Sequence, residues 1–139
     1  MAYLFDTDAI SETLKPKPAP GYVSWLAKIS REEQFTSVVT VGELYKGAFR
    51  SPARDRHIGN IEQQVLPALT VLPYDVPIAK LFGEVRAGLE RAGTPLAEAD
   101  LLIASTALLH NLELVTGNLR PFSRVPGLRI CPVLIHARS

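Results

Sequence analysis

The sequence predicts a three-layer α/β fold with a mainly parallel sheet of roughly five strands, in one domain that spans residues 1–139. Short apolar runs alternate with segments of helical periodicity along the whole chain, which is typical of this class. The runs lack the polar alternation of a half-exposed strand, as expected when both faces of a sheet are covered. A length of 139 residues suits one hydrophobic core and leaves no room for a second domain.

The first third of the chain predicts two strands that flank two short helices. Residues 3–5 are apolar and end at an aspartate, which indicates a buried first strand. Apolar positions within residues 9–14 indicate a short helix, and the three prolines of residues 15–20 stop it. A second helix follows around Trp25, and residues 35–39 indicate the second strand.

The middle of the chain predicts two helices in succession. Thr40 followed by Glu43 has the spacing of a capping box, so we expect a helix to begin at Thr40. Residues 52–66 are polar with apolar positions at helical spacing, which indicates a partly exposed helix.

The last half of the chain predicts three further strands. Residues 70–72 form a short strand, and residues 78–92 follow as a long amphipathic helix. Pro95 suits the start of the next helix, which is the most apolar one and continues to residue 109. Residues 112–116 and 128–131 indicate the last two strands.

Composition narrows the function classes. Lys and Arg number 15 against 14 for Asp and Glu, so the net charge is close to zero. Any contact with a nucleic acid must therefore depend on a local patch of basic residues. The single cysteine, Cys131, excludes an internal disulfide and a multi-cysteine metal site. No apolar run reaches the length of a membrane span, and Asp6 interrupts the first apolar run too early for a secretory signal. We therefore expect a cytoplasmic protein.

Three acidic residues are candidates for a metal site. Asp100 lies within the apolar face of its predicted helix, where an unpaired carboxylate costs several kcal/mol unless a cation or a partner compensates it; the alternative is a favourable position near the helix N-terminus. Asp6 ends the first strand, but an Asx turn or an N-cap also explains it. Glu43 follows a predicted strand, although a capping box explains it without any chemistry.

Four segments in order resemble the motifs of PIN-domain nucleases. They are residues 4–11 (LFDTDAIS), 36–44 (TSVVTVGEL), 99–107 (ADLLIASTA) and 114–118 (LVTGN) with 122–128 (FSRVPGL). Within that family the chain is most similar to the VapC toxins of bacterial toxin–antitoxin pairs. The resemblance implies a metal-dependent endoribonuclease that hydrolyses RNA phosphodiester bonds with Mg²⁺ or Mn²⁺.

The resemblance also assigns roles to individual residues. Asp6, Glu43 and Asp100 are the expected metal ligands and catalytic acids. Asn118 stands where the family often has an aspartate, so it can orient a water molecule or donate a carbonyl oxygen but brings no charge. Three further residues are expected to support the ligands from behind: Asp8, Ser11 and Thr116.

Partners follow from the same resemblance. A VapC toxin pairs with a VapB-type antitoxin, forms a homodimer and reaches operator DNA only through the antitoxin complex. Basic residues beside the motifs are candidates for RNA contact: Lys46, Arg50, Arg86 and Arg120, with Lys15 and Arg124 nearby.

Two other functions remain open at this point. An Asp-x-Asp sequence after a first strand also suits phosphatases that form an aspartyl-phosphate, but that reaction wants a threonine where Ile10 stands and leaves Glu43 unexplained. A degenerate PIN-like module that binds RNA or protein without cutting is the non-enzymatic alternative, and Asn118 supports it.

Overall fold

Five parallel strands form one sheet in the computed structural model, which describes residues 1–139. The strand order is β3-β2-β1-β4-β5, so the chain moves outward on one side of β1 and returns on the other. In sheets of this kind, ligands bind beyond the carboxyl ends of the strands, at the point where the order reverses. The strands are β1 (Tyr3–Phe5), β2 (Gln34–Ser37), β3 (Thr70–Leu72), β4 (Glu113–Val115) and β5 (Ile130–Cys131).

Eight α-helices surround the sheet, together with two 3₁₀ turns and one π-helical turn. None of them is long and apolar enough to cross a lipid bilayer. The helices are α1 (Thr7–Thr13), α2 (Pro20–Leu26), α3 (Val38–Arg50), α4 (Arg54–Asn60), α5 (Val76–Arg91), α6 (Glu98–Leu109), α7 (Leu119–Phe122) and α8 (Val133–Ala137); the turns are Arg31–Glu33, Ile61–Val65 and Leu66–Ala68.

The sheet has a hydrophobic cluster on each face, which confirms the three-layer fold. Successive strand residues point to opposite faces, so Phe5 joins the cluster that includes Tyr22 of α2, whereas Leu4 joins the cluster that includes Ile103 of α6. Leu4 is fully buried and Phe5 is 3% exposed. This two-sided burial explains why β1 is uniformly apolar, as the sequence indicated.

The predicted capping box at Thr40 is wrong. The strand β2 ends at Ser37, and the Ser37 hydroxyl caps α3 by accepting the backbone N–H of Val39 at 3.0 Å. Thr40 therefore lies inside the first turn, and its buried hydroxyl has no hydrogen-bond partner in the chain. Glu43 points elsewhere, because its carboxylate accepts the hydroxyl of Thr7. Because Ser37 at the end of the strand is the N-cap, the helix begins two residues closer to the N-terminus than expected, at Val38.

Three other predicted boundaries also differ from the structure. The helix expected at Pro95 begins only at Glu98, because Ala97 remains extended and acts as the N-cap. The segment 52–66 divides into α4 and a π-helical turn that precedes Pro67, which has no N–H to continue a helix. The last strand is shorter than residues 128–131 and begins at Ile130.

The C-terminus is held to the first helix by a buried carboxylate. Glu12 is 3% exposed, and its oxygens accept hydrogen bonds from Lys15 Nζ at 2.9 Å, the Ala19 N–H at 2.9 Å and Arg138 Nη2 at 2.7 Å. These donors, with Lys15 and Arg138 the strongest, lower the pKa of Glu12 to about 2.

Replacement of Glu12 by glutamine should destabilise the protein in a pH-dependent way. Because the folded pKa lies below the usual 4.5, the ionised group stabilises the fold above about pH 4.5, and this contribution disappears as the pH falls toward 2. We expect Glu12→Gln to lower the free energy of unfolding by about 2 kcal/mol at pH 7, with the difference shrinking toward pH 2 in urea titrations.

A matched control is Glu90→Gln, since Glu90 is 61% exposed and pairs with Arg86 on the surface. It should change stability by less than about 0.5 kcal/mol. An equal loss for both variants, or a Glu12→Gln loss that is independent of pH, would contradict the assignment.

Candidate metal and catalytic site

The carboxyl ends of β1 and β4 meet where the strand order reverses, and polar residues follow both strands. Asp6 comes directly after β1, and its N–H donates to the carbonyl of Val115 at 3.2 Å. Thr116 comes directly after β4 and is fully buried. Its hydroxyl accepts the backbone N–H of Asn118 at 3.0 Å. The register of the two strands thus places Asp6 and the 116–118 segment side by side.

Asp6 is a buried N-cap. Its Oδ1 accepts the backbone N–H of Ala9 at 2.8 Å, and the residue is only 5% exposed. Burial raises the pKa of this carboxyl to about 6, and the charges of Asp8 and Asp100 raise it further, while hydrogen bonds from Thr116 and Ala9 oppose the rise. The ionised form of Asp6 is therefore costly unless positive charge is nearby.

Glu43 and Asp100 approach Asp6 from two other helices. Glu43 lies in the second turn of α3 and accepts the hydroxyl of Thr7, while Asp100 lies in the first turn of α6 and is partly buried. Burial raises the pKa of Asp100, and the charge of Glu43 raises it further. The three acids border one cavity of about 510 Å³, whose lining is Asp6, Thr7, Asp8, Glu43, Asp100, Ile103, Gly117, Asn118 and Phe122.

The chemistry of this lining fits a hard divalent cation. Carboxylate and amide oxygens are the ligands that Mg²⁺ and Mn²⁺ prefer. No group of three acidic, histidine or cysteine side chains is already arranged to hold a metal ion directly. Mg²⁺ usually keeps several waters and takes only one or two carboxylates directly, so a cavity of this size fits an ion bound partly through water.

The other predicted site residues divide into two groups. Asp8, Asn118 and Thr116 lie in or directly beneath the cavity wall. Ser11 does not line this cavity but an adjacent groove of about 490 Å³, which shares Thr7 and Glu43 with it.

The predicted RNA-contact residues lie outside the cavity. Lys46 and Arg50 are exposed on α3, one and two turns beyond Glu43, and Arg120 is exposed on α7. Arg86 is already paired with Glu90 at 3.5 Å and with Glu98 at 3.3 Å on the surface.

Sequence reasoning missed three residues at the site. Thr7 opens α1 and donates to Glu43, which its place between Asp6 and Asp8 could have suggested. Gly117 borders the cavity. Arg138 pairs with Asp8 across 130 residues of sequence, and no local pattern signals such a contact.

The model of the PIN domain family matches residues 3–128 of the chain. The chain belongs to the PIN domain family. This PIN domain is 35% identical over 130 residues to the "tRNA(fMet)-specific endonuclease VapC" of Salmonella typhimurium, an alignment that covers 94% of this chain and 96% of that one. It is 34% identical to "Toxin FitB" of Neisseria gonorrhoeae, with 86% and 89% of the two chains covered.

Solved structures agree with this assignment. The PIN domain superposes on a chain of the DNA-bound VapBC complex from Salmonella typhimurium with a TM-score of 0.86 and 35% identity, covering 94% and 97% of the two chains. The FitAcB complex from Neisseria gonorrhoeae gives a TM-score of 0.85 at 31% identity, with 94% and 97% covered. Within its family, this PIN domain is therefore a member of the VapC group.

Removing the charge of Asp6 should stabilise the metal-free PIN domain. Because its folded pKa is about 6 and the usual value is 3.8, ionisation of Asp6 costs stability as the pH rises from about 4 through 6. Asparagine keeps the N-cap acceptor. We expect Asp6→Asn to raise the free energy of unfolding by roughly 1 to 3 kcal/mol at pH 8 in chelator, and to have little effect at pH 4.

The matched control is Asp75→Asn, because Asp75 caps α5 in the same way, accepting the Ile78 N–H at 3.2 Å, but is exposed. It should be nearly neutral at both pH values. Added Mn²⁺ should stabilise the wild type but not Asp6→Asn, because an ion stabilises only the fold that binds it. A destabilised Asp6→Asn variant at pH 8 in chelator would contradict this account of the charge.

Proposed function

We propose that this PIN domain is an Mg²⁺- or Mn²⁺-dependent endoribonuclease, and that it acts as the toxin of a VapBC-type toxin–antitoxin pair. The observation that carries the proposal is the convergence of Asp6, Glu43 and Asp100, from β1, α3 and α6, on one cavity. The ribonuclease names of relatives that match nearly the full chain support the same activity.

The chemistry explains why three acids are needed. An RNA phosphodiester is anionic and repels hydroxide, so a bound divalent cation would screen the phosphate and lower the pKa of the attacking water. In the proposal Asp6, Glu43 and Asp100 hold that cation directly or through water. Hydrogen bonds hold two of these carboxylates, since Asp6 is an N-cap and Glu43 accepts the Thr7 hydroxyl, and Asp100 lies in the first turn of α6.

Residues near the acids would orient the reacting groups. Asn118 borders the cavity, and its backbone is tied to the Thr116 hydroxyl at 3.0 Å. Its side-chain amide can hold a water molecule or a phosphate oxygen there. Asp8, Thr116 and Ser11 would form the layer behind the ligands, as in other metal sites. Within that layer Thr116 hydrogen-bonds to Asp6, and Asp8 is held by Arg138.

The phosphatase alternative is disfavoured by the surroundings of both aspartates. An aspartyl-phosphate requires a carboxylate that can reach the substrate phosphorus. Asp6 is 5% exposed and serves as an N-cap, and both oxygens of Asp8 accept hydrogen bonds from Arg138. A non-cutting PIN-like module is disfavoured by the retention of all three acids, although Asn118 removes a fourth charge.

An antitoxin is the expected partner. The relatives of known structure include VapBC and FitAB complexes, some bound to DNA. The groove beside the cavity has an apolar floor of Leu14, Leu44 and Ile61, which suits apolar side chains of a VapB-type segment. We propose that operator DNA is reached only through that complex, and that two copies of this chain pair as a homodimer.

Substitution of either Asp6 or Asp100 by asparagine should abolish RNA cleavage while leaving the protein folded. The loss should be at least ~100-fold, because each change removes a charge from the cation site. The measurement is single-turnover cleavage of cellular RNA by antitoxin-free protein with Mg²⁺ or Mn²⁺, and chelator should stop the wild type.

Glu98→Gln is the control for Asp100→Asn, since Glu98 lies in the same first turn of α6 but is 70% exposed and pairs with Arg86. It should retain activity within about threefold. Cleavage by Asp6→Asn or Asp100→Asn at the wild-type rate, or cleavage unaffected by chelator, would contradict the nuclease proposal. Hydrolysis of a small phosphomonoester with a trapped acyl-phosphate would favour the phosphatase.

Removal of the basic side chains on α3 should weaken RNA binding in a salt-dependent way. Log affinity falls linearly with log salt concentration, and each lost phosphate contact makes that negative slope shallower by roughly 0.7 for single-stranded RNA. We expect the double variant Lys46→Ala/Arg50→Ala to make the slope shallower by about 1.4, measured by filter binding with catalytically inactive protein. Lys80→Ala, on an exposed position of α5 that borders neither the cavity nor the groove, is the control. An unchanged slope for the double variant would remove these residues from the RNA surface.

A further inference from the structure

Arg138, the penultimate residue, joins two carboxylates beside the acidic cavity. Its Nη1 and Nη2 donate to Oδ2 and Oδ1 of Asp8 at 2.8 and 3.0 Å. Its Nε and Nη2 donate to Oε1 of Glu12 at 3.2 and 2.7 Å. A two-pronged pair of this kind is stronger and more directional than a single ion contact. Both oxygens of Asp8 are thus occupied by one guanidinium.

The loop after β4 lies against this ion pair, which stays partly exposed. A Cβ added at Gly117 would overlap both the Arg138 guanidinium and the Asp8 carboxylate, so the Gly117 backbone lies directly against the pair. Gly117 and Asp8 both line the acidic cavity. The pair therefore lies at the wall of the cavity, between α1 and the segment that carries Asn118, rather than on a distant surface.

The pair changes the charge that the cavity presents. Four carboxylates line it, those of Asp6, Asp8, Glu43 and Asp100. Affinity for a divalent cation depends on how many carboxylates are free to face it, because each adds Coulomb attraction and a possible ligand. With Asp8 neutralised by Arg138, three remain uncompensated.

We propose that Arg138 is a positioning residue that withholds Asp8 from the divalent cation and so limits the ligand set to Asp6, Glu43 and Asp100. The inference rests on the proposed function, since it requires a cation in this cavity. It assigns a role to a residue at the end of the chain that lies outside all four sequence motifs.

Arg138 is not the only contact that anchors the C-terminal segment. Helix α8 is already fixed by Leu134, which is fully buried in the cluster of Phe5 and Tyr22. Glu12 keeps two other donors, Lys15 Nζ and the Ala19 N–H. A purely structural contact would affect stability but would not couple Asp8 to the affinity for a cation.

The test is a double-substitution cycle read by Mn²⁺ binding. Mn²⁺ is titrated into the wild type, Arg138→Gln, Asp8→Asn and the variant with both changes. The electron paramagnetic resonance signal measures the free Mn²⁺ at each step. We expect Arg138→Gln to tighten Mn²⁺ binding about 5- to 10-fold or to add a second bound ion, because it frees the Asp8 carboxylate. In the Asp8→Asn background the same change should alter the affinity by less than about twofold.

Arg138→Lys provides the conservative variant, because lysine keeps the charge but not the two-pronged geometry. Its affinity should lie between those of the wild type and Arg138→Gln, and circular dichroism checks that each variant is folded. Provided that the wild type binds Mn²⁺, three results would each overturn the inference. They are an equal effect of Arg138→Gln in both backgrounds, unchanged or weaker Mn²⁺ binding by Arg138→Gln, and a variant that unfolds. A wild type that binds no Mn²⁺ would instead contradict the proposed function itself, and the inference with it.

Discussion

The cost of bringing carboxylates together at one edge of the sheet governs this site. Asp6 is almost fully buried, and its pKa is raised to about 6 by burial and by the charges of Asp8 and Asp100. Repulsion from Glu43 adds to the burial that raises the pKa of Asp100. Such an arrangement is unfavourable without positive charge. In our account that charge comes from a divalent cation for three acids and from Arg138 for the fourth.

The acids stay close together despite their mutual repulsion because helices and strand ends of the fold position each of them. Asp6 sits between β1 and α1 as an N-cap, Glu43 is held by the Thr7 hydroxyl, and Asp100 occupies the first turn of α6. The central position of β1, with β2 on one side and β4 on the other, brings these elements to the same edge. Sites built on such elements keep their geometry without substrate, as electrostatic catalysis requires.

Much of the fold could be predicted from the sequence, because burial on both faces of a parallel sheet leaves apolar runs such as Tyr3–Phe5. The five strands and their order of appearance follow from that pattern and are confirmed. The error at the start of α3 came from local competition between caps. Ser37 and Thr40 are both good capping residues, and only the end of strand β2 decides that Ser37 starts the helix. The family was also predicted correctly, because four motifs in order carry far more information than any one of them.

The site was only partly predictable. That Asp6, Glu43 and Asp100 share a cavity agrees with the motif-based expectation, although their roles as ligands stay a prediction. The Asp8–Arg138 pair joins residues 130 positions apart, and no spacing or periodicity reports a contact of that range. Ser11, which the motif assigns to the layer behind the ligands, lies on α1 and lines the neighbouring groove, and its supporting role stays a prediction.

The central claim is that Asp6, Glu43 and Asp100 together bind a hard divalent cation. The most direct measurement is an anomalous difference map from crystals of the antitoxin-free protein soaked in Mn²⁺. We predict a peak in the acidic cavity, with oxygens of these three residues either within about 2.5 Å or bridged by a single water. A map with no peak in the cavity, or with a peak coordinated by other residues, would contradict the account.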